Sequence, residues 1–289
     1  PGDPELRASI AHAYLVKQDY QNAAAQFESV LRTDTLSVED QIRFGQVFVS
    51  FIQRDSAVSP YAKKLFEEIR QQYPDDWRPY WFLGAIANIM KDDSTALRNY
   101  QKVRGLAPSN PDGWIGVASV YYDGNKLQEA ADLLNEATKV VPDEFRVYFL
   151  LGLTYQRQHK SLDAASTLER ALQLNEKSVE TLSSLGLLYD ELKRHEDSDS
   201  AYERALRLDL HNHLVLNNYG YSLAERGVQL ERAMKMSKEA LGQQPLNQSY
   251  LDTYGWVLYQ IGRYAEAEEQ IRKAVELGST SSVVHEHLG

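Results

Sequence analysis

The sequence predicts an all-α chain, and three observations predict it. Apolar residues recur at three- and four-residue steps along nearly the whole length, as expected of helices with one buried face. The nine prolines fall near expected helix starts or turns and never within a sustained apolar-periodic stretch, where a missing N–H would break a helix. Alternating apolar and polar runs flanked by hairpin turn signals are almost absent. The Asp123-Gly124 pair sits between two helical patterns.

A fixed period organises the helices. The small residue of each "LG"-like step falls at Ala11, Gly45, Gly84, Ala118, Gly152, Gly186, Gly220, Gly255 and Gly289, at spacings of 34 residues except one of 39 and one of 35. A second small column follows at Ala23, Ala62, Ala96, Ala130, Ala164, Ser198, Ala233 and Ala267. Paired helices joined by a short turn approach closely only where no large side chain intervenes, so both columns predict helix crossings.

The units follow in order. Unit one, 4–37, sets Tyr14 and Phe27 on two aromatic packing columns, and unit two, 38–76, sets Phe48 and Phe66 there. Unit two also carries a five-residue insertion, Arg54–Val58. Ser59-Pro60 then predicts a helix restart, with Ser59 as N-cap and Pro60 at the first helical position. Unit three, 77–110, continues with Tyr100. Unit four, 111–144, reads cleanest: Trp114 through Tyr121, a turn at Gly124-Asn125, then Glu129 through Ala137. Units five, 145–178, and six, 179–212, supply Tyr155, Tyr189 and Tyr202. Unit seven, 213–247, holds one extra residue, and unit eight spans 248–281. Pro74, Pro108, Pro142 and Pro245 are expected to stop the second helices. Residues 282–289 begin a ninth first helix that stops at its glycine without a polar cap, so more chain is expected beyond Gly289.

Composition removes several function classes. Without cysteine there is no disulfide, thiolate nucleophile or cysteine-ligated metal. A net charge of −10 and a pI near 5.3 argue against nucleic-acid binding, which needs a basic surface. The longest apolar run, around Tyr80–Met90, is too short to span a bilayer. The chain opens Pro1-Gly2-Asp3-Pro4, so localisation is not read from it. No phosphate-binding glycine loop and no HExxH occurs. His211 and His213, like His285 and His287, are two apart, a spacing that on a helix points them away from each other. Acidic residues are scattered among Lys193, Arg194 and His195 rather than paired across a cleft. Asn247-Gln248-Ser249 is a lone glycosylation sequon. No enzyme, cofactor or metal is expected.

The 34-residue period with its small, aromatic and proline columns resembles the tetratricopeptide repeat (TPR). The best matches are Tyr148, Leu151, Gly152 and Tyr155, the set Leu182, Leu185, Gly186 and Tyr189, and Trp114, Tyr121, Ala130, Ala137 and Pro142. The first two units depart most, and the proline column is lost at Glu176, Leu210 and Thr280. Units seven and eight, from Leu216 through Leu277, are most similar to repeats of bacterial TPR proteins, many exported or membrane-anchored. Periplasm, cell envelope and cytoplasm stay open.

The resemblance implies one right-handed superhelical solenoid of about eight helical hairpins over residues 1–289, and a concave groove lined by the first helices. Carried over, that groove holds Arg78, Trp81, Phe82, Ala85 and Asn88, then Ile115, Ser119, Tyr122 and Asp123, then Arg146, Phe149, Leu150, Leu153 and Arg157. It then turns polar with Ser183, Ser184, Leu187 and Asp190, Asn217, Asn218 and Tyr221, and Asp252, Thr253, Trp256 and Tyr259. The apolar middle is expected to take a partner's peptide or helix, with Arg78, Arg146 and Arg157 orienting acidic groups. The bland reading is that Trp81, Phe82 and Phe149 only pack between first helices. The family's terminal-carboxylate clamp is not supplied, because Asn217 and Asn218 lie beside Leu187 and Asp252. The expected partner is a protein or peptide, with no nucleic acid and no direct membrane insertion. Two alternatives stand beside this: the recruiting arm of a larger enzyme, and self-association through the uncapped eighth unit.

Overall fold

A computed structural model describes residues 4–31 and 36–278. Among the described residues there are sixteen α-helices and no strand. The chain divides into two compact units, Pro1–Leu150 and Leu151–Gly289. The first holds α1 (Pro4–Val16), α2 (Tyr20–Leu31), α3 (Val38–Ile52), α4 (Ser59–Gln72), α5 (Trp77–Ile89), α6 (Asp93–Leu106), α7 (Pro111–Asp123), α8 (Leu127–Val140) and the start of α9 (Phe145–Arg157). The second holds the rest of α9, α10 (Ser161–Leu174), α11 (Val179–Glu191), α12 (His195–Leu208), α13 (His213–Glu225), α14 (Leu230–Gln243), α15 (Gln248–Ile261) and α16 (Tyr264–Glu276). The ninth first helix read at 282–289 lies outside the described residues.

Odd-numbered helices are started by side chains. Ser37, Asp76, Asn110, Ser178, Asn212 and Asn247 each accept a backbone N–H from the first turn of α3, α5, α7, α11, α13 and α15, a contact worth about 1 kcal/mol per helix. The sequon asparagine, Asn247, is thus spent as a cap. Inside the hairpins a left-handed residue makes the turn, at Gln18, Lys91, Asn125, His159, Lys193, Gly227 and Gly262. Only two of these are glycine, so the turn is imposed by the packing of its helices rather than by local preference.

Prolines do not set where even-numbered helices end. Alpha helices α4, α6, α8 and α14 stop two residues before Pro74, Pro108, Pro142 and Pro245, but α10 and α12 stop at the same register before Glu176 and Leu210. In those two the next backbone N–H bonds back to Ala171 and Ala205. The stop is therefore a backbone geometry that proline tolerates.

Both small columns are crossings. Ala23, Ala62, Ala96, Ala130, Ala164, Ser198 and Ala233 are wholly buried, and Ala267 is 2% exposed. Opposite them, a Cβ on Gly186 would meet the Tyr202 ring at 2.6 Å, and one on Gly84 the Tyr100 ring at 2.8 Å. Of the predicted aromatic columns, Phe27, Phe48, Phe66, Tyr100, Tyr189 and Tyr202 are buried in the cores, while Tyr14, Tyr121 and Tyr155 are only partly buried. Phe27 meets Phe48 edge-on at 5.7 Å in the first unit, and Tyr202 stacks on Tyr219 at 5.0 Å in the second.

The insertion in the α3–α4 connection is structured. Residues Ser56–Val58 form a 3-10 turn whose cap, Asp55, accepts from the Ala57 N–H at 2.9 Å and from the Tyr20 hydroxyl at 2.6 Å. Val58 is wholly buried. The turn runs straight into α4, so the flanking residue is Val58, in helical conformation, and Ser59 is already helical. The expected Ser59 cap is corrected accordingly: no side-chain cap bond forms there.

Candidate protein-binding face

In the first unit, α5 and α7 each carry a half-buried stripe beside their buried one. Arg78, Trp81, Ala85 and Asn88 line it on α5, and Asp112, Ile115, Ser119 and Tyr122 on α7. These positions recur at helical spacing on one side of each helix. Phe149, at the matching place on α9, is also half-buried, as is its neighbour Leu150. Trp81 stands edge-on to Phe82 at 4.8 Å, and Phe149 stacks on Phe145 at 5.6 Å. The structure therefore brings Trp81, Ile115 and Phe149 onto corresponding, accessible places of these helices, with Tyr122 further along the α7 stripe, whereas Leu150 holds the place of Phe82 on α5.

Three of the expected groove residues do other work. Phe82 is 8% exposed and stacks on Phe66 of α4 at 4.5 Å, so it is core. Its counterpart on α7 is Gly116, where a Cβ would meet the Tyr100 ring at 2.5 Å. This position thus packs on the preceding second helix, and its residue size complements the aromatic it meets. Arg78 and Arg146 are engaged within the chain rather than offered to a ligand. Arg78 bonds Asp76 at its own helix start and Glu39 at the start of α3, at 2.5 and 3.0 Å. Arg146 repeats the pattern, bonding Glu144 and, on α7, Asp112 at 2.7 and 2.9 Å. Each arginine ties two successive first helices together. Hydrogen bonds from Arg146 hold the Glu144 carboxyl below the ordinary carboxylate range, and those same carboxylates raise both guanidinium groups further.

The second unit presents a different surface. Arg157 is exposed on α9, and Ser183, Asn217 and Asp252 occupy the place that Trp81 and Ile115 hold in the first unit. All three are buried. Asn217, expected as a groove residue, is only 6% exposed; its amide nitrogen donates to Asn218 Oδ1 at 3.3 Å and its own carbonyl oxygen has no partner. Asn218 and Trp256 are half-buried, and Trp256 stacks on Tyr259 at 5.4 Å.

Titratable groups elsewhere serve structure. His211 faces Glu239 at 2.6 Å while His213 faces the Tyr250 hydroxyl at 2.7 Å, so the pair does not converge. His285 and His287 lie outside the described residues. Among the described residues, no group of three or more His, Cys, Asp or Glu is placed to hold a metal, and no helix is long and apolar enough to cross a membrane.

Sequence reasoning missed one further concavity. A cleft of about 490 Å³ lies between α4 and α6 over α5 in the first unit. Its signal was the insertion ahead of Ser59-Pro60, a lengthened loop that in the sequence reads as a contact site or, more often, as neutral drift.

Models of the tetratricopeptide repeat match residues 118–158, 149–212 and 249–277. Residues 118–212 and 249–277 are therefore tetratricopeptide repeats. A TPR repeat-containing protein of Pseudomonas aeruginosa is 33% identical to this chain over 78 residues, which are 27% of the chain and 13% of that relative. A chain of an APC/C hetero-tetramer superposes with a TM-score of 0.69 at 14% identity, over 98% of this chain and 55% of that one. YrrB, described as a TPR protein with an unusual peptide-binding site, superposes with a TM-score of 0.51 at 18% identity, over 65% of this chain and 96% of its own. At such identities the structural likeness shows the TPR fold alone, and it is the matched repeats that support a protein-interaction scaffold in general. The chain spans about half of the first solved structure, and its match spans about an eighth of the curated relative.

Proposed function

We propose that this TPR chain is a non-catalytic scaffold that binds a segment of a protein partner along its first helices. The observation that carries the reading is the half-buried apolar set Trp81, Ile115 and Phe149, at matching places on α5, α7 and α9, with Tyr122 further along the α7 stripe and half-buried Leu150 beside Phe149. Fully covering one such side chain contributes about 1.5–3 kcal/mol before ordering costs, so two or three anchors support micromolar binding. That YrrB carries a peptide-binding site on this fold is consistent with the reading.

The test is selection of ligands from a displayed peptide library on the native chain. Selected peptides are then titrated against a Trp81→Glu, Phe149→Glu double variant shown to be folded by circular dichroism. Affinity is expected to fall by about a hundredfold, since two buried anchors are replaced by charges. Unchanged affinity would move the site to another surface.

A second reading, the recruiting arm of a longer protein, draws on the curated relative, of which the match covers 13%. Deleting these repeats from the full gene product would then abolish recruitment of its substrate while leaving turnover of a small surrogate intact. Loss of neither would remove the idea.

A further inference from the structure

The cleft over α5 is separate from the half-buried stripe of the first helices. Its floor is apolar: Leu83 and Ile86 of α5 are 4% and 2% exposed, and Met90 at the helix end is half open. Its walls are charged. Lys63 and Arg70 of α4 and Arg98 of α6 stand against Glu67 and Asp92, a net positive set. Neither Lys63 nor Arg98 forms an ion pair with a described residue. Asp92 is engaged as the cap of α6, accepting the Thr95 N–H at 3.1 Å. Hydrogen bonds from Thr95, together with the charges of Lys63 and Arg98, hold its carboxyl below the usual range.

Ser59 supplies the second, independent observation. It lines the cleft, is 3% exposed, and its hydroxyl has no hydrogen-bond partner. Serines at a helix start normally spend that oxygen as a cap. Here the inserted 3-10 turn runs into α4, shifts the cap position to Val58 and leaves the hydroxyl to the cleft. The five inserted residues thus create both the helix entry and the unmet polar group.

A ligand must answer both halves of this surface. A neutral apolar molecule would desolvate Lys63 and Arg98 without pairing them, which is unfavourable. A small inorganic anion would leave the apolar floor wet. An amphipathic anion meets floor and wall together, and the volume lies within the range of small-molecule sites. We propose that the α4–α6 cleft binds an aliphatic carboxylate, its chain on Leu83, Ile86 and Met90 and its head group at Ser59, Lys63 and Arg98.

Calorimetric titration with sodium octanoate below its micelle concentration tests the assignment, with octyl glucoside and acetate as the tail-only and head-only controls. One saturable site for octanoate is expected, at least about tenfold tighter than either control. Lys63→Glu should weaken octanoate by about tenfold, through loss of a charge-assisted contact. Ser59→Ala should weaken it by about threefold while leaving the ligand-free Tm unchanged or higher, because no existing bond is lost. Met90→Trp, which fills an exposed part of the cleft, should abolish binding with the far-ultraviolet spectrum retained. The Trp81→Glu, Phe149→Glu variant should bind octanoate normally, separating this site from the peptide face. Octyl glucoside binding as tightly as octanoate, octanoate binding indifferent to Lys63→Glu and Met90→Trp, or no saturable site up to about 10 mM would each overturn the proposal.

Discussion

Ser198 is the one serine in a buried column of alanines, and its hydroxyl has no partner. Folding removes that oxygen from water without a compensating bond, so Ser198→Ala is expected to stabilise the chain by about 1 kcal/mol. Chemical denaturation would show a raised midpoint at unchanged slope; a lowered midpoint would mean that the hydroxyl is satisfied by water. Gly186 is the opposite case. An added methyl would meet the ring of Tyr202, which is wholly buried and cannot retreat. Gly186→Ala should therefore cost about 1–3 kcal/mol. The crossings behind both expectations are legible in the sequence, because close approach leaves a small residue at a fixed interval. Phe82 was not legible in the same way. Its position holds Phe, Gly or Leu in successive units, and only the partner across the interface, Phe66 for Phe82 and Tyr100 for Gly116, decides which of them is core. Sequence periodicity reports the face of a helix but not what stands opposite it.

The hairpin turn is the element whose chemistry the sequence conceals most. Lys193 adopts φ 59° between α11 and α12, where Gly227 and Gly262 stand in equivalent turns. A side chain in that region costs about 1–2 kcal/mol, partly offset by the lower chain entropy of a non-glycine residue when unfolded. Lys193→Gly is thus expected to raise stability by up to about 1 kcal/mol, read as a shift in the thermal midpoint. A fall would mean that the lysine side chain contributes more than its backbone costs. The ties between successive first helices are also elements of the repeat rather than of one hairpin. Arg146 reaches Asp112 across 34 residues, but its side chain is 51% exposed. Solvent screening therefore limits the loss on Arg146→Ala to about 0.5 kcal/mol at low salt. That loss should shrink in molar salt, and a salt-independent loss would point to packing of the aliphatic stem instead. Arginine at the second position of a first helix reads naturally as ligand-facing, because the acid that binds it belongs to the previous unit. The distance in sequence hides the distance in space.

Across the whole molecule the titrating groups bound the pH range of the fold from both sides. Glu144, Glu203 and Asp92 are held below their ordinary values by hydrogen bonds from Arg146, Arg232 and Thr95. They bind fewer protons folded than unfolded, so their contribution is complete above an unfolded pKa of about 4 and is lost as the pH falls further. Tyrosine acts with the opposite sign. Burial pushes Tyr100 up to about 12, and donation to the Asp55 carboxylate pushes Tyr20 up to about 12. Burial is likewise the leading cause of the rise at Tyr189, Tyr202, Tyr219 and Tyr250. Each of these is favoured neutral in the fold, so its contribution is complete below an unfolded pKa of about 10 and is lost as the pH climbs through the folded value. Tyrosinate absorbance in the native chain should accordingly lag behind that of the guanidinium-unfolded chain, with at least six of the 18 tyrosines withheld until unfolding releases them. Superimposable curves would mean that these hydroxyls reach water in solution, and the aromatic columns would then be looser than the stacked Tyr202–Tyr219 pair requires.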